Sequence, residues 1–434
     1  MVKVSFLGSC REVGRSAILV ESEETSDSIL MDYGIKMSGG EDNFPKHVSG
    51  KDLSAIVVTH SHIDHVGGVP IFYISGHVPL YMTKLAFDVS KVLLRDMLKI
   101  SEFYLPFSHN EVSRMGRYAR FLSYGQRTKV GKNSHITLYN NGHVPGSAMV
   151  LVEMDGKKII YTSDANKEDT QLMSGIKAPD VPIDLLITEC TYGTTIHEPR
   201  QEVERDFMNS VKEVLDNNGT VLVPAFGVSR SQEILMVLYD YNVDYPVIVD
   251  GMARKIARIY KSKRHSDFFK DWNKMTKAFK NAHFIRQRNR YQDRRRAKES
   301  NSVIVAPSGM LKGGTSRMYA EAIIDDPNSA IMLVSYQIPG SPGELLQQEG
   351  KYEYYKNHEK VQKDVACKVQ YFDFSSHSGQ EKLIEFANEC NYTTKEKNVV
   401  AVHGDSEVSK EFVKVMRERG FNASAPEEGT SIRI

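Results

Sequence analysis

Seven residues, Thr59-His60-Ser61-His62-Ile63-Asp64-His65, constrain this chain more than any others. They follow Leu53-Ser54-Ala55-Ile56-Val57-Val58, an apolar and β-branched run that reads as a buried strand, and they precede the turn signal Gly67-Gly68. Three imidazoles and a carboxylate at a strand end have no packing rationale. Crowded nitrogen and oxygen donors are instead what a borderline cation such as Zn²⁺ requires. The alternating spacing lets His60 and His62 face one ion while Asp64 and His65 face a neighbouring one.

This pattern resembles the HxHxDH signature of the metallo-β-lactamase superfamily, and further matches follow along the chain. Asp32 closes the strand-like run Ser28 to Asp32. The resemblance implies that it hydrogen-bonds a ligand histidine and fixes its orientation. His143, in Gly142-His143-Val144-Pro145-Gly146-Ser147-Ala148, and Asp164, after Lys157 to Thr162, stand where the superfamily completes its metal shells. His403, ending Val399-Val400-Ala401-Val402, supplies the last ligand. The implied first site is His60, His62, His143 and Asp164. The second is Asp64, His65 and His403 with Asp164 shared. His109 and His135 receive no role.

Thr188-Glu189-Cys190-Thr191-Tyr192-Gly193 narrows the resemblance to the β-CASP branch, the nuclease branch that includes the cleavage and polyadenylation specificity factor nuclease, its archaeal homologues and ribonuclease J. His377, in Ser375-Ser376-His377-Ser378-Gly379-Gln380, matches a second motif of that branch. The resemblance implies that His377 is a general acid kept cationic by Glu189, with Asp64 and Asp32 also in the catalytic set. Gly379 stands where the cleavage-factor form usually carries aspartate, and Gln380-Glu381-Lys382-Leu383 is closer to the ribonuclease J form. Arg230, in Pro224 to Glu233, and Ser308 and Gly309, in the glycine-rich Ala306 to Gly314, resemble family motifs. Such turns offer backbone N–H groups to phosphate. With Ser375 and Ser376 they form the expected substrate-binding set.

The implied fold is α/β: a metallo-β-lactamase αββα sandwich over 1–194 and 363–434, with a β-CASP α/β domain of mostly parallel sheet inserted at 195–362. Strand-like runs at Thr220 to Val223, Pro246 to Asp250, Ser302 to Ala306 and Ala330 to Val334 alternate with helical stretches, which by itself argues for a parallel sheet. Val365 to Phe374 is expected to return to the first domain. Pro70 to Gly125 reads as amphipathic helix, with Leu85, Val89, Val92, Leu93, Met97 and Leu98 as core.

A chain of 434 residues, 41% hydrophobic and 26% charged, suits an ordinary globular protein of two domains. Four scattered cysteines without a CxxC suit a reducing cytoplasm. No signal peptide or membrane span is expected, since no apolar run approaches roughly 18 residues. The net charge of +1 excludes a globally basic nucleic-acid binder. Locally, however, Arg254 to Lys298 holds 17 Lys or Arg against three Asp, interleaved with aromatics, as a phosphodiester polymer would need.

The favoured reading is a zinc-dependent ribonuclease with two ions per chain, cutting single-stranded RNA as an endonuclease, with no membrane partner, alone or as a homodimer. A 5′-3′ exoribonuclease of ribonuclease J type is the alternative. The extra C-terminal domain of many ribonucleases J and the N-terminal RNA-binding module of some archaeal homologues are not expected. A small-molecule metallohydrolase would leave the inserted domain, Glu189 and His377 without a purpose. A non-catalytic RNA-binding scaffold would lack ligands that are all present here.

Overall fold

A computed structural model describes residues 1–36, 43–101, 104–356 and 359–434. The chain forms two compact units. The first comprises Met1–Asp169, Met173–Ile196 and Ser376–Ile434, and the second Thr170–Leu172 and His197–Ser375.

Alternation of apolar residues with period two, buried on both faces, builds the first unit as layers. Ile29, Met31, Ala55 and Val57 point to one side of their sheet and Leu30, Ile56 and Val58 to the other. In the second sheet Val150, Val152, Ile159 and Leu185 meet the first sheet's inner face, while Leu151, Ile160 and Leu186 turn outward. Each sheet has seven strands. Helices Lys84–Ile100 and His109–Tyr118 cover the outer face of one, and Gln380–Glu389 and Ser406–Glu418 that of the other. The result is the expected αββα sandwich.

The stretch expected to be helical from Pro70 to Gly125 is more broken than its periodicity suggested. Three-residue strands Leu80–Met82 and Ala119–Phe121 flank the two helices and extend the first sheet in parallel. Runs this short leave no period of their own. Thr83 accepts the Ala86 N–H at 3.1 Å and so starts the longer helix.

The second unit is built on a six-stranded sheet in the order His283–Phe284, Val247–Val249, Val303–Ala306, Val221–Pro224, Ala330–Leu333, Lys368–Tyr371, every neighbouring pair parallel. The last strand corrects an expectation. Val365 to Phe374 does not return to the first domain, because Lys368–Tyr371 pairs with Ala330–Leu333 and closes this sheet's edge. The chain crosses back only after Ser375. Thr170–Leu172 also belongs to this unit, held by Glu233, whose carboxylate accepts the N–H groups of Gln171 at 2.8 Å and Leu172 at 3.0 Å.

The basic tract forms helices Met252–Tyr260, Trp272–Asn281 and Arg290–Lys298, with Tyr260 and Phe279 buried as packing residues. Among the described residues no helix is long and apolar enough to cross a membrane.

Candidate metal centre

The opening motif leaves its strand, Ala55–Val57, and passes into the short helix Ile63–Val66. Its backbone is anchored from two sides: Ser16 N–H donates to Asp64 O at 2.8 Å and Tyr33 N–H to His65 O at 2.9 Å. Gly34 is required there, since a Cβ would collide with the Asp64 carbonyl. Asp164, Glu189 and His403 arrive from the other sheet, at the carboxyl ends of Lys157–Tyr161, Leu185–Glu189 and Asn398–Val402, which are neighbouring parallel strands. Functional groups gather at such strand ends because the loops there converge. Asp32 and His403 take φ of 60° and 52°, left-handed conformations held at the ends of rigid strands.

Two groups of four converge, His60, His62, His143 and Asp164, and Asp64, His65, Asp164 and His403, with the ligand atoms of each group within 4.8 Å of one another. These are the seven side chains named from the sequence. His60 Nε2 lies 3.1 Å from His62 Nδ1, which lies 3.2 Å from His143 Nε2. Tetrahedral zinc with bonds of 2.0–2.1 Å would space its ligand nitrogens by about 3.3 Å. Burial and neighbouring imidazoles hold His60 and His143 well below the ordinary histidine value, so both are neutral and have lone pairs to give.

The second group carries more carboxylate. Burial opposes ionisation of Asp64, but His65 and His403 outweigh it and lower its pKa. Burial likewise pulls His65 down, and Asp164, Asp32 and Asp64 more than reverse it. Asp164 Oδ1 is buried without a well-aligned hydrogen bond, although His65 Nε2 lies at 3.2 Å and His403 Nδ1 at 3.4 Å. An orphaned oxygen between two imidazoles, on a carboxylate that belongs to both groups, fits a bridging ligand.

Outer partners orient these candidate ligands. Asp32 Oδ2 accepts from His65 Nδ1 at 2.8 Å, and the Ser376 carbonyl accepts from His143 Nδ1 at 3.0 Å. Thr191 Oγ1 donates to the His403 carbonyl at 2.9 Å and lies 3.1 Å from His403 Nδ1, directing Nε2 toward Asp64 Oδ2 at 3.2 Å. Thr59 Oγ1 is 3.1 Å from His60 Nδ1 and 2.8 Å from both Asp32 Oδ2 and Ser163 Oγ. Sequence reasoning named Asp32 and missed Thr59, Thr191 and Ser163. Their one signal was adjacency, since Thr59 and Ser163 immediately precede candidate ligands and Thr191 lies in the Glu189 motif. An Asp32→Ala variant is expected to bind zinc roughly 10–100-fold more weakly, measured by competition with a chromogenic chelator. Unchanged affinity would remove its orienting role.

His377 sits beside both groups. Its Nδ1 is 2.9 and 3.0 Å from the two carboxylate oxygens of Glu189, and its Nε2 is 3.9 Å from Asp164 Oδ2. Glu189 is fully buried and also accepts the Ala165 N–H at 2.7 Å. Burial lowers the His377 pKa, but the Glu189 charge and hydrogen bond, with Asp164, push it up to about 9.

The expected substrate residues divide between the units. Ser376 lies in the first, whereas Arg230, Ser308, Gly309 and Ser375 lie in the second. Arg230 opens the helix Arg230–Asp240. The Ser308 hydroxyl donates to the Gly313 carbonyl at 3.2 Å within its own loop, and Gly309 O accepts from Gln337 Nε2 at 3.1 Å.

Comparison with known proteins agrees with this geometry. The chain matches the metallo-beta-lactamase superfamily over residues 11–225, the Beta-Casp domain over 231–346 and the Zn-dependent metallo-hydrolase RNA specificity domain over 362–426. It is 34% identical to RNase aCSPSF2 of Saccharolobus solfataricus, covering 99% of this chain and 85% of that one. It is 33% identical to "Probable RNase MJ4" of Methanocaldococcus jannaschii, covering all of both, and 28% identical to that organism's RNase J-like protein, again covering all of both. A crystal structure of a protein of unknown function from Enterococcus faecalis shares the fold, with a TM-score of 0.63 at 13% identity over 99% of each chain. The superfamily fold implies a divalent metal, and the donor set described above fits one. Ligand geometry, motif order and full-length similarity together place this chain in the β-CASP branch of the metallo-β-lactamase superfamily.

Proposed function

We propose that this metal-dependent ribonuclease holds two zinc ions and cleaves single-stranded RNA internally, in RNA processing or decay. The observation that carries the reading is the pair of donor groups sharing Asp164, with the Glu189–His377 pair beside them. His60, His62, His143 and Asp164 would hold one ion, and Asp64, His65, His403 and Asp164 the other. Bound there, two cations supply Lewis acidity, acidifying water toward neutral pKa and neutralising charge that builds on the phosphodiester.

The chain's own residues do the rest. Asp32, Thr59, Thr191 and the Ser376 carbonyl keep the imidazoles aimed inward. His377 donates from Nδ1 to Glu189, which leaves Nε2, 3.9 Å from Asp164 Oδ2 beside the donor groups, to carry the second proton. With its pKa near 9 it is protonated at neutral pH and serves as the acid for the departing 3′-oxygen. Arg230, Ser308, Gly309, Ser375 and Ser376 are assigned to the substrate by resemblance.

Internal cleavage is favoured by the resemblance of the motifs to those of the archaeal cleavage-factor nucleases, while the relatives at 34% and 28% identity support ribonuclease activity alike. Circular single-stranded RNA tests this. Linearisation and fragmentation by zinc-loaded protein, abolished by chelator, is the expected outcome. Circles left intact while 5′-monophosphorylated linear RNA is degraded would establish the 5′-exonuclease alternative.

A further inference from the structure

The second unit's sheet ends in a straight row. Pairing places Phe284 beside Val249, Val249 beside Val305, Val305 beside Val223, and Leu333 beside Tyr371, so all six strands release their chains at one edge. Strands about 4.8 Å apart make that edge about 24 Å long. Among the described residues of this unit, four of the five exposed large hydrophobics close one of these strands or follow it within five residues at that edge. Phe226 is 42% exposed, Tyr336 53%, Ile338 45% and Tyr371 38%, and Tyr291 reaches 80% in the first turn of the helix Arg290–Lys298. The other exposed large hydrophobics all belong to the first unit.

Packing does not explain this placement, because four of the five side chains are aromatic and none is turned into the core. Their loops are nonetheless firmly held. A Cβ on Gly309 would meet Ser335 Oγ at 3.0 Å and the Phe226 nitrogen at 3.3 Å, and Gln337 Nε2 donates to Gly309 O at 3.1 Å and Ser335 O at 2.6 Å. Phe226 and Tyr336 therefore project from three interlocked loops. Acidic groups in the segments that follow these strands are engaged, Glu344 accepting the Gly340 N–H at 3.3 Å, while several cations there are exposed. Asp250 is engaged by Arg294 at 2.7 Å and Asp373 by His197 at 2.6 Å, whereas Arg288, Arg290 and Lys312 are exposed. Arg290 lies over the Tyr291 ring at 5.3 Å. Exposed rings among uncompensated cations match a polyanion with flat, unstacked bases.

We propose that this edge is a base-stacking track for single-stranded RNA, with Phe226 and Tyr336 as stacking residues and little sequence preference. The inference rests on the ribonuclease reading and adds how the substrate is held. A duplex hides its base faces, so the track selects unpaired strands.

Binding is measured by fluorescence anisotropy on zinc-loaded His377→Ala protein, with a labelled single-stranded RNA and an abasic ribose-phosphate oligomer of equal length. Phe226→Ala and Tyr336→Ala are each expected to weaken RNA binding about 5- to 150-fold and to leave abasic binding unchanged. Tyr336→Phe is expected to restore RNA binding. Equal weakening on both oligomers, or none on RNA, would overturn the track. Cleavage by the unmutated chain is scored separately: if it cuts RNA while the two variants bind normally, the track alone fails. If it cuts no RNA yet shows a base-dependent affinity that the variants lose, the nuclease reading fails and the track stands.

Discussion

Asp164→Ala is expected to lose both metal and cleavage, with less than one equivalent of zinc retained and activity reduced by roughly 10⁴-fold or more. The magnitude follows from water, whose pKa returns from near 7 toward 15.7 when no cation acidifies it. No other side chain belongs to both donor groups, and its carboxylate is almost fully buried. Its oxygens lie 3.2 Å from His65 Nε2, 3.5 Å from His143 Nε2 and 3.6 Å from His60 Nε2. A two-oxygen carboxylate can serve two cations, whereas an imidazole in its place could serve one. Metal analysis after gel filtration and a labelled-RNA assay check both halves. Two retained equivalents would show that the groups do not depend on a shared carboxylate.

His377→Ala separates chemistry from metal binding. It is expected to keep the full metal content and to lower kcat about 10²–10⁴-fold, the usual contribution of a positioned acid. Glu189→Gln should follow it in the same direction, because the charge that raises the His377 pKa to about 9 is gone. Asp64→Ala provides the contrast, losing metal and turnover together. If His377→Ala lost as much metal as Asp64→Ala, His377 would be acting as a ligand and not as an acid.

Most of the candidate ligands were legible in the sequence because they follow apolar runs, whereas His143, in a glycine- and proline-bounded turn, was named by resemblance alone. Val57, Tyr161 and Val402 end strands whose last three residues are buried, and the polar residues after them have no role in packing. His403 and Asp164 lie far from the opening motif in the chain, but parallel pairing brings their strand ends together. Lys368–Tyr371 was misplaced for the opposite reason. It is an edge strand with two exposed and two half-buried residues, so neither its pattern nor its hydrophobicity says which sheet it joins. The orienting contacts were hidden for a third reason. Thr59 and Thr191 act through single hydroxyls and Ser376 through a backbone carbonyl, which no side-chain type advertises.

Zinc-edge anomalous scattering from crystals of the metal-loaded protein tests the central claim most directly. Two peaks are expected, one within the His60, His62, His143 and Asp164 group and one within the Asp64, His65, His403 and Asp164 group, with Asp164 touching both. A single peak, or density away from these seven side chains, would contradict a two-ion centre built on a shared carboxylate.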